Sequence, residues 1–327
     1  MFSANRHNTH FGGIAFIYNP TNDHYEEIPL PPREGMFDWF IPLSDGRAVA
    51  GAVGTYAGRD FLSVSIYESA TRRFGPIIDL KLPGLSEFAD PSSAVMLTNG
   101  DILLLDSRQA WRYQPDQRQV VLTAPKRTGA YHEVVALSDG RALVLSGNGP
   151  GRAPDLPFVT VEGEIYDPQT DGWRTITPIP PGPRSGFEAT VLADGRVMVA
   201  GGSTLNFDQL AQVDIYDPRT DTWQPAAPLP ITVSGFRLTP LRDGMILMTG
   251  GEPVTPRAPQ PYPPIYEKSA YAYNPRDNSW IRVGQMTAPH AYHQAQRLPD
   301  GRVLLIVGTA GELFTPPCWP QFCSSCP

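Results

Sequence analysis

Two histidines, three carboxylates and one arginine recur at matching places along this chain. When the sequence is aligned on six Asp-Gly or Asn-Gly pairs, the positions eight and seven residues before each glycine include Asp38, Trp39, His132, Glu133, Glu188, Arg237 and His293. If the six segments fold alike and surround one axis, these side chains lie at similar heights. Convergent polar groups in a concavity are the default hypothesis for a ligand-binding site. The alternative is that His132 and His293 hydrogen-bond the backbone of a neighbouring segment.

The strands that position these side chains are expected to flank turns at the six aligned pairs. An Asn-Gly or Asp-Gly pair between two apolar runs is a strong hairpin signal, because a type I′ turn needs positive φ at both central residues. We therefore predict one such hairpin at each of the six pairs: Asp45-Gly46, Asn99-Gly100, Asp139-Gly140, Asp194-Gly195, Asp243-Gly244 and Asp300-Gly301.

A second hairpin alternates with the first and has the form Ile215-Tyr216-Asp217-Pro218, a turn, and Trp223. Proline cannot donate to a ladder and ends one strand, and Asp and Thr satisfy the turn backbone. The leading tyrosine recurs as Tyr18, Tyr67, Tyr113, Tyr166, Tyr216 and Tyr273. Seven residues after each come Tyr25, Phe74, Val120, Trp173, Trp223 and Trp280. Two hairpins in each segment predict four strands in each segment.

The segment Leu192–Gly202, followed by Ile215–Pro218 and Trp223, resembles the kelch repeat. It is most similar to the bacterial form, which is also the form of the galactose oxidase propeller, and the repeats follow one another at about 50 residues. The resemblance covers residues 11–315 and implies an all-β, six-bladed kelch β-propeller of four-stranded antiparallel blades. The repeated aromatic residues, Trp173, Trp223 and Trp280 among them, then have a structural role.

Three regions follow from this pattern. Residues 1–10 are expected to be a flexible N-terminus, residues 11–315 a single propeller, and residues 316–327 a cysteine-rich tail. The first Tyr hairpin has no Asp-Gly hairpin before it, and the last Asp-Gly hairpin has no full Tyr hairpin after it. We therefore expect N- and C-terminal strands to share one blade and close the ring, which removes both sheet edges. The division of strands in that blade stays open.

Charge and composition exclude several classes of function. The formal net charge of −7 argues against a partner bound through nucleic-acid phosphates. No run of about 18 apolar residues could span a membrane, and the N-terminus lacks the pattern of a signal peptide. We therefore expect a cytoplasmic monomer whose partner is a protein, a peptide or a small molecule.

All three cysteines, Cys318, Cys323 and Cys326, lie in the last ten residues. Their spacing is compatible with a soft metal, with one disulfide and a free thiol, or with a processed or attached peptide. We expect the tail to be disordered, because it is a chain terminus. A four-cysteine zinc site is incomplete without a histidine from elsewhere. We therefore predict no cofactor and regard these thiols as weak candidates for metal ligands.

We expect the chain to be a binding module rather than an enzyme. Its pocket would lie at the channel mouth, beside long loops on one rim, where binding usually resides. The alternative is a propeller enzyme that acts on a carbohydrate, since the resemblance to kelch sialate mutarotases implies an acid–base residue and an arginine that clamps a carboxylate. Glu188 and Arg237 match these residue types.

A metal-dependent oxidase is a further alternative. Tyr292-His293 resembles the Tyr-His pair that ligates copper in galactose oxidase, and Tyr131-His132 repeats it. That class of enzyme also needs a ligating tyrosine cross-linked to a cysteine, and the propeller body contains no cysteine. The sequence therefore favours this alternative less than the carbohydrate enzyme.

Overall fold

A computed structural model describes residues 2–4, 14–19, 22, 24–31, 39–56, 59–83, 93–106, 109–128, 132–146, 163–180, 184–204, 208–253, 266–307 and 310–317. These residues form antiparallel β-strands, and none of them belongs to a helix that could cross a membrane. The chain divides into two compact units, which we describe separately. Unit 1 comprises residues 1–145 and 163–175, and unit 2 comprises residues 146–162 and 176–327.

The described residues of unit 1 form four sheets. The first consists of β1 (Phe2–Ala4), β2 (Ile14–Asn19) and β3 (His24–Pro29). The second consists of β4 (Trp39–Pro42), β5 (Ala48–Tyr56), β6 (Arg59–Glu68) and β7 (Arg73–Phe74), with β8 (Ile78–Lys81) paired to β6. The third consists of β9 (Ser93–Met96), β10 (Ile102–Leu105), β11 (Ala110–Gln114) and β12 (Gln119–Leu122). The fourth consists of β13 (His132–Ala136), β14 (Ala142–Ser146), β15 (Gly163–Asp167) and β16 (Gly172–Thr175).

In unit 2, the part of the chain that the structure describes forms two further four-stranded sheets and two smaller ones. One consists of β17 (Ser185–Val191), β18 (Val197–Ser203), β19 (Val213–Asp217) and β20 (Thr222–Ala226). The other consists of β22 (Arg237–Pro240), β23 (Ile246–Thr249), β25 (Ser269–Asn274) and β26 (Ser279–Gln285). The strands β21 (Val233–Ser234) and β24 (Glu252–Pro253) form a short pair. The last sheet consists of β27 (Gln294–Arg297), β28 (Val303–Val307) and β29 (Ala310–Phe314).

The prediction of an all-β, six-bladed propeller with four-stranded antiparallel blades is confirmed. That the two chain ends share one blade stays a prediction, since the described pairings place β1–β3 in one three-stranded sheet and β27–β29 in another. Phe2–Ala4, expected to be part of a flexible segment, form a strand against β2. The other residues of 1–10 lie outside the described residues, as do Cys318, Cys323 and Cys326.

The Tyr hairpins form at the predicted places, and their register pairs the repeated residues. Each leading tyrosine is the direct cross-strand partner of the residue seven positions later, as in Tyr216 opposite Trp223 and Tyr113 opposite Val120. Where both residues are aromatic, their ring centroids lie 4.8–5.4 Å apart. Tilted aromatic pairs at this distance stabilise a sheet beyond the burial of their area.

The Asp-Gly hairpins occur at the predicted places, but the type I′ turn is wrong. Only the glycine of each pair has positive φ, between 84° and 96°. Gly195 N donates to Leu192 O, Leu192 N donates to Arg196 O, and Asp194 Oδ1 accepts from Arg196 N. This is a type I turn followed by one left-handed residue, a common arrangement in hairpins with longer loops. The Asp side chain satisfies the backbone two residues on, so it needs no positive φ.

Two Tyr hairpins of unit 2 also bind the chain that precedes their own blade. In unit 2, Trp223 Nε1 donates to Thr177 O (2.8 Å), while Asp221, whose Oδ1 accepts from Tyr216 Oη, accepts from Thr177 N. Trp280 Nε1 and Asn278 Oδ1 bind the O and N of Ala227 in the same way. In both cases the tryptophan and the turn residue of one hairpin hydrogen-bond the backbone of a single residue that follows the preceding hairpin.

The core of each unit lies between neighbouring sheets. In unit 2, Met198 and Ile215 of one sheet pack in the same cluster as Leu238, Met248 and Tyr273 of the next. In unit 1, β5 and β6 pack in the same way against β10 and β11, around the buried Trp111. Each sheet therefore buries its faces against its neighbours, as blades of a propeller do.

Candidate functional site

Three consecutive blades of unit 2 begin with strands that lie side by side, β17 next to β22 and β22 next to β27. The alignment on the hairpin glycines placed Glu188, Arg237 and Gln294 at one level of these strands. The structure brings the first two of them into contact. Glu188 and Arg237, each seven residues before its hairpin glycine, are therefore neighbours in adjacent blades.

Arg237 is the centre of this group. Its Nη1 donates to Glu188 Oε2 (2.8 Å), and its Nε donates to the backbone oxygen of His293 (2.7 Å). None of the described residues accepts a hydrogen bond from Nη2. The Arg237 side chain is 36% exposed, whereas that of Glu188 is 14% exposed. The guanidinium is thus held through Nε and Nη1, whereas Nη2 has no acceptor among the described residues.

Glu188 lies beneath this guanidinium. Burial raises the pKa of its carboxyl group above the ordinary value, and the neighbouring Arg237 charge and the Leu238 backbone N–H act in the opposite direction. A carboxyl group with a raised pKa next to a cation is suited to exchange a proton with a bound molecule. Its chemistry is therefore compatible both with holding Arg237 in place and with acid–base work.

His293 is almost completely buried, with 1% of its surface exposed. Its Nε2 lies 2.9 Å from Thr249 Oγ1, and its Nδ1 has no hydrogen-bond partner among the described residues. Burial first, and then the charges of Arg237 and His290, lower the pKa of His293 to about 3. His293 is therefore a neutral side chain that links two adjacent sheets. Its partner is a hydroxyl group rather than the backbone that the alternative interpretation expected.

The remaining predicted residues belong to unit 1. Trp39 is half-buried in β4, and its indole ring packs so closely on Gly51 that a Cβ there would overlap it. His132 begins β13, and its side chain lies outside the described residues, as does all of Asp38. Glu133 is half-buried in β13. That these residues meet Glu188 and Arg237 around one axis stays a prediction.

The copper site suggested by Tyr292-His293 does not fit the described residues. His293 Nε2 is occupied by Thr249, whereas Tyr292 Oη lies next to Glu252 and Ser234. Within the described ranges, no group of three or more His, Cys, Asp or Glu is placed to hold a metal ion. Because His293 and Tyr292 have separate hydrogen-bond partners, they are not arranged to coordinate one metal ion. We therefore derive no chemistry through copper.

A buried ion pair in unit 2 was not predicted from the sequence. Arg184 Nη2 donates to Asp214 Oδ2 (2.8 Å), and the two side chains are 0% and 1% exposed. Gln212 Nε2 also donates to Asp214 Oδ2. Burial raises the pKa of Asp214 and lowers the pKa of Arg184, and each charge counters this effect on the other. The equivalent position in the preceding repeat, two residues before its tyrosine, holds Glu164, so an acidic residue there was a usable signal.

Comparison with known proteins supports the fold independently. The family model of the Kelch motif matches residues 183–230, a stretch that spans β17 to β20. An N-acetylneuraminate epimerase of Brucella suis is 36% identical over 80 residues, which cover 24% of this chain and 20% of that protein. The Kelch-like protein terF of Aspergillus terreus is 33% identical over 92 residues, or 27% of this chain and 19% of that protein. The matches thus span about a fifth of the length of these curated relatives.

Among solved structures, a fungal alcohol oxidase of the AA5 family, in complex with copper, aligns with 86% of this chain and 74% of its own. The TM-score is 0.52 and the sequence identity is 12%. A likeness at this identity concerns the fold alone. With the repeated hairpins, the stacked antiparallel sheets and the matching motif model, it leads to one conclusion: the chain is a kelch-repeat β-propeller.

Proposed function

We propose that this chain is a binding module that holds a small carboxylate-bearing molecule at Arg237. The kelch propeller fold supports a binding role. The observation that carries the finer proposal is the arginine itself, which is fixed by Glu188 and the His293 carbonyl and exposes donors that no described residue accepts. A guanidinium held in this way offers a carboxylate two parallel hydrogen bonds without further ordering of the side chain.

The charges around the site favour a small ligand over a large acidic one. The protein carries a net charge of −7, so a large anionic partner would be repelled by the molecule as a whole. A single carboxylate meets the local positive charge of Arg237 and little of the distant field, which salt screens within about 10 Å. The site therefore suits a monocarboxylate, the simplest of which is acetate.

Replacing Arg237 by lysine tests the proposal. Lysine keeps the positive charge beside Glu188 but loses the planar fork, so we expect acetate affinity to fall by about tenfold or more, since a charged hydrogen bond contributes about 1.5–3 kcal/mol. NMR titration with acetate measures the change. Arg219→Gln, which alters an exposed turn arginine, is the matched control and should bind as the wild type does. Equal affinity in Arg237→Lys and wild type would contradict the proposal.

A second candidate is an enzyme that interconverts the anomers of N-acetylneuraminate. The similarity to an N-acetylneuraminate epimerase over 80 residues favours it, and so does the raised pKa of Glu188 beside a carboxylate-binding arginine. In this case Arg237 would hold the sugar carboxylate, and Glu188 would give a proton to the ring oxygen as its bond to the anomeric carbon breaks, while the anomeric hydroxyl group loses its proton to water. Closure of the ring on the other face reverses these proton transfers.

Glu188→Gln separates the two candidates. An amide still accepts a hydrogen bond from Arg237 but cannot transfer a proton, so the enzyme candidate predicts a loss of about 100-fold or more in the rate of anomer exchange. NMR exchange spectroscopy of N-acetylneuraminate measures this rate with and without protein. If wild-type protein leaves the exchange rate unchanged, the enzyme candidate is wrong and the binding proposal is unaffected.

A further inference from the structure

One tyrosine occupies a backbone position that the neighbouring blades give to glycine. In three consecutive blades of unit 2, the position nine residues before the hairpin glycine holds Gly186, Gly235 and Tyr292. Their φ angles are 66°, 64° and 55°. The repeat therefore imposes the left-handed conformation at this point, whichever residue stands there. Glycine adopts it without strain, whereas a bulky side chain adopts it rarely.

Strain of this kind persists where the surroundings impose it, and it concentrates at binding sites. Tyr292 N donates to Gly235 O (2.7 Å), which holds the strained backbone in place. The ring packs against Gly235, where a Cβ would approach three ring carbons to 2.7–2.9 Å. The tyrosine is nevertheless 63% exposed, so packing in a core does not explain its ring.

The surroundings of the ring differ between its base and its tip. Tyr292 precedes His293, whose backbone oxygen accepts from Arg237, so the guanidinium is bound to the backbone one residue after the base of the ring. At the tip the phenol oxygen lies 3.4 Å from Glu252 Oε2 and 3.5 Å from Ser234 Oγ. The exposed ring therefore has a carboxylate and a hydroxyl group at its tip, and a cation is bound to the backbone that follows its base.

We propose that Tyr292 is a stacking platform that selects ligands with a ring that has an apolar face and bears a carboxylate and a hydroxyl group. The proposal rests on the proposed function, because Arg237 binds the carboxylate. The ligand ring then lies on the Tyr292 face, where aromatic side chains bind apolar ring faces. Glu252 repels the carboxylate and accepts a hydrogen bond from a hydroxyl group, which fixes the direction of the ligand. Pyranose carboxylates have this arrangement.

Replacing Tyr292 by glycine tests the platform without disturbing the backbone, since glycine is the residue of the equivalent positions. Tyr292→Asn, which also tolerates this conformation, removes the ring in a second way. We expect both variants to bind D-glucuronate and N-acetylneuraminate about tenfold more weakly and to bind acetate as the wild type does. Tyr292→Phe keeps the ring and should lose less affinity. Ile281→Ala, at an exposed apolar residue of β26, is the control.

The thermal unfolding temperature distinguishes a binding role of Tyr292 from a purely structural one, since loss of a structural side chain would lower it. We expect Tyr292→Gly to unfold at the wild-type temperature or above, because the strain is relieved while affinity is lost. Equal binding of both pyranose carboxylates by wild type and Tyr292→Gly, or no tighter binding of them than of acetate by the wild type, would overturn the platform. Loss of acetate binding in Arg237→Lys shows separately that the anion site stands. No binding of any of the three probes would overturn both proposals.

Discussion

Replacing Asp214 by alanine is expected to destabilise unit 2 by about 3–5 kcal/mol, because the change leaves the Arg184 guanidinium buried without a counter-charge. The Arg184 side chain is completely buried. Its other acceptors are the carbonyl groups of Gln212 and Val199, at 3.4 and 3.5 Å, which are too distant to replace a carboxylate. Urea unfolding followed by circular dichroism measures the loss.

Two further variants show that the loss comes from the unpaired charge. Arg196→Gln breaks an equivalent-looking pair with Asp194 on the surface, where the side chains are 26% and 48% exposed. We expect it to cost less than about 1 kcal/mol, since exposed ion pairs are weak. The double change Arg184→Met and Asp214→Leu removes both charges and should recover most of the stability. A double variant as unstable as Asp214→Ala would contradict this explanation.

Replacing Trp111 by alanine is expected to destabilise unit 1 by about 3–5 kcal/mol, because it empties a completely buried indole site. Trp111 lies in β11, between Leu104 and Leu122 on the neighbouring strands, and belongs to the cluster around Val64. Its Nε1 donates to Pro83 O (2.9 Å). The loss therefore combines a cavity with a carbonyl group that loses its donor, and the same unfolding measurement determines it.

Trp173 provides the matched control within unit 1. It is half-buried in the outer strand β16, and its ring stacks on Tyr166. Trp173→Ala removes the same side chain from a site that water can fill, so we expect a smaller loss than at Trp111. Comparable losses at the two positions would mean that burial does not determine their contribution.

Periodicity carried most of the fold prediction. The hairpin that carries Tyr216 and Trp223 followed from a spacing of seven residues and a turn between them, both of which are local properties of the chain. The position of Glu188 beside Arg237 followed from alignment on the hairpin glycines, because equivalent residues of adjacent repeats lie at one level. These predictions needed only short-range geometry and the assumption that repeats fold alike.

The features that the sequence did not predict depend on side-chain geometry within one blade or across two. Arg184 and Asp214 stand 30 residues apart, and each alone resembles an ordinary surface charge. The contact of His293 with Thr249 joins two sheets through a hydroxyl group that no motif marks. Tyr292 is different, because it departs from the repeat when it is aligned with Gly186 and Gly235, and the amino-acid sequence alone contains that departure.

The hydrogen bonds from Trp223 and Trp280 to the chain before their hairpins have a consequence for synthesis on the ribosome. Thr177 leaves the exit tunnel before Trp223, and Ala227 leaves before Trp280, so each indole meets an acceptor that has already emerged. We therefore expect these two blades to be added in order during synthesis, each bound to the earlier chain by its own last hairpin. A circular permutant that starts inside a hairpin would lose this order and should fold more slowly while reaching the same final structure.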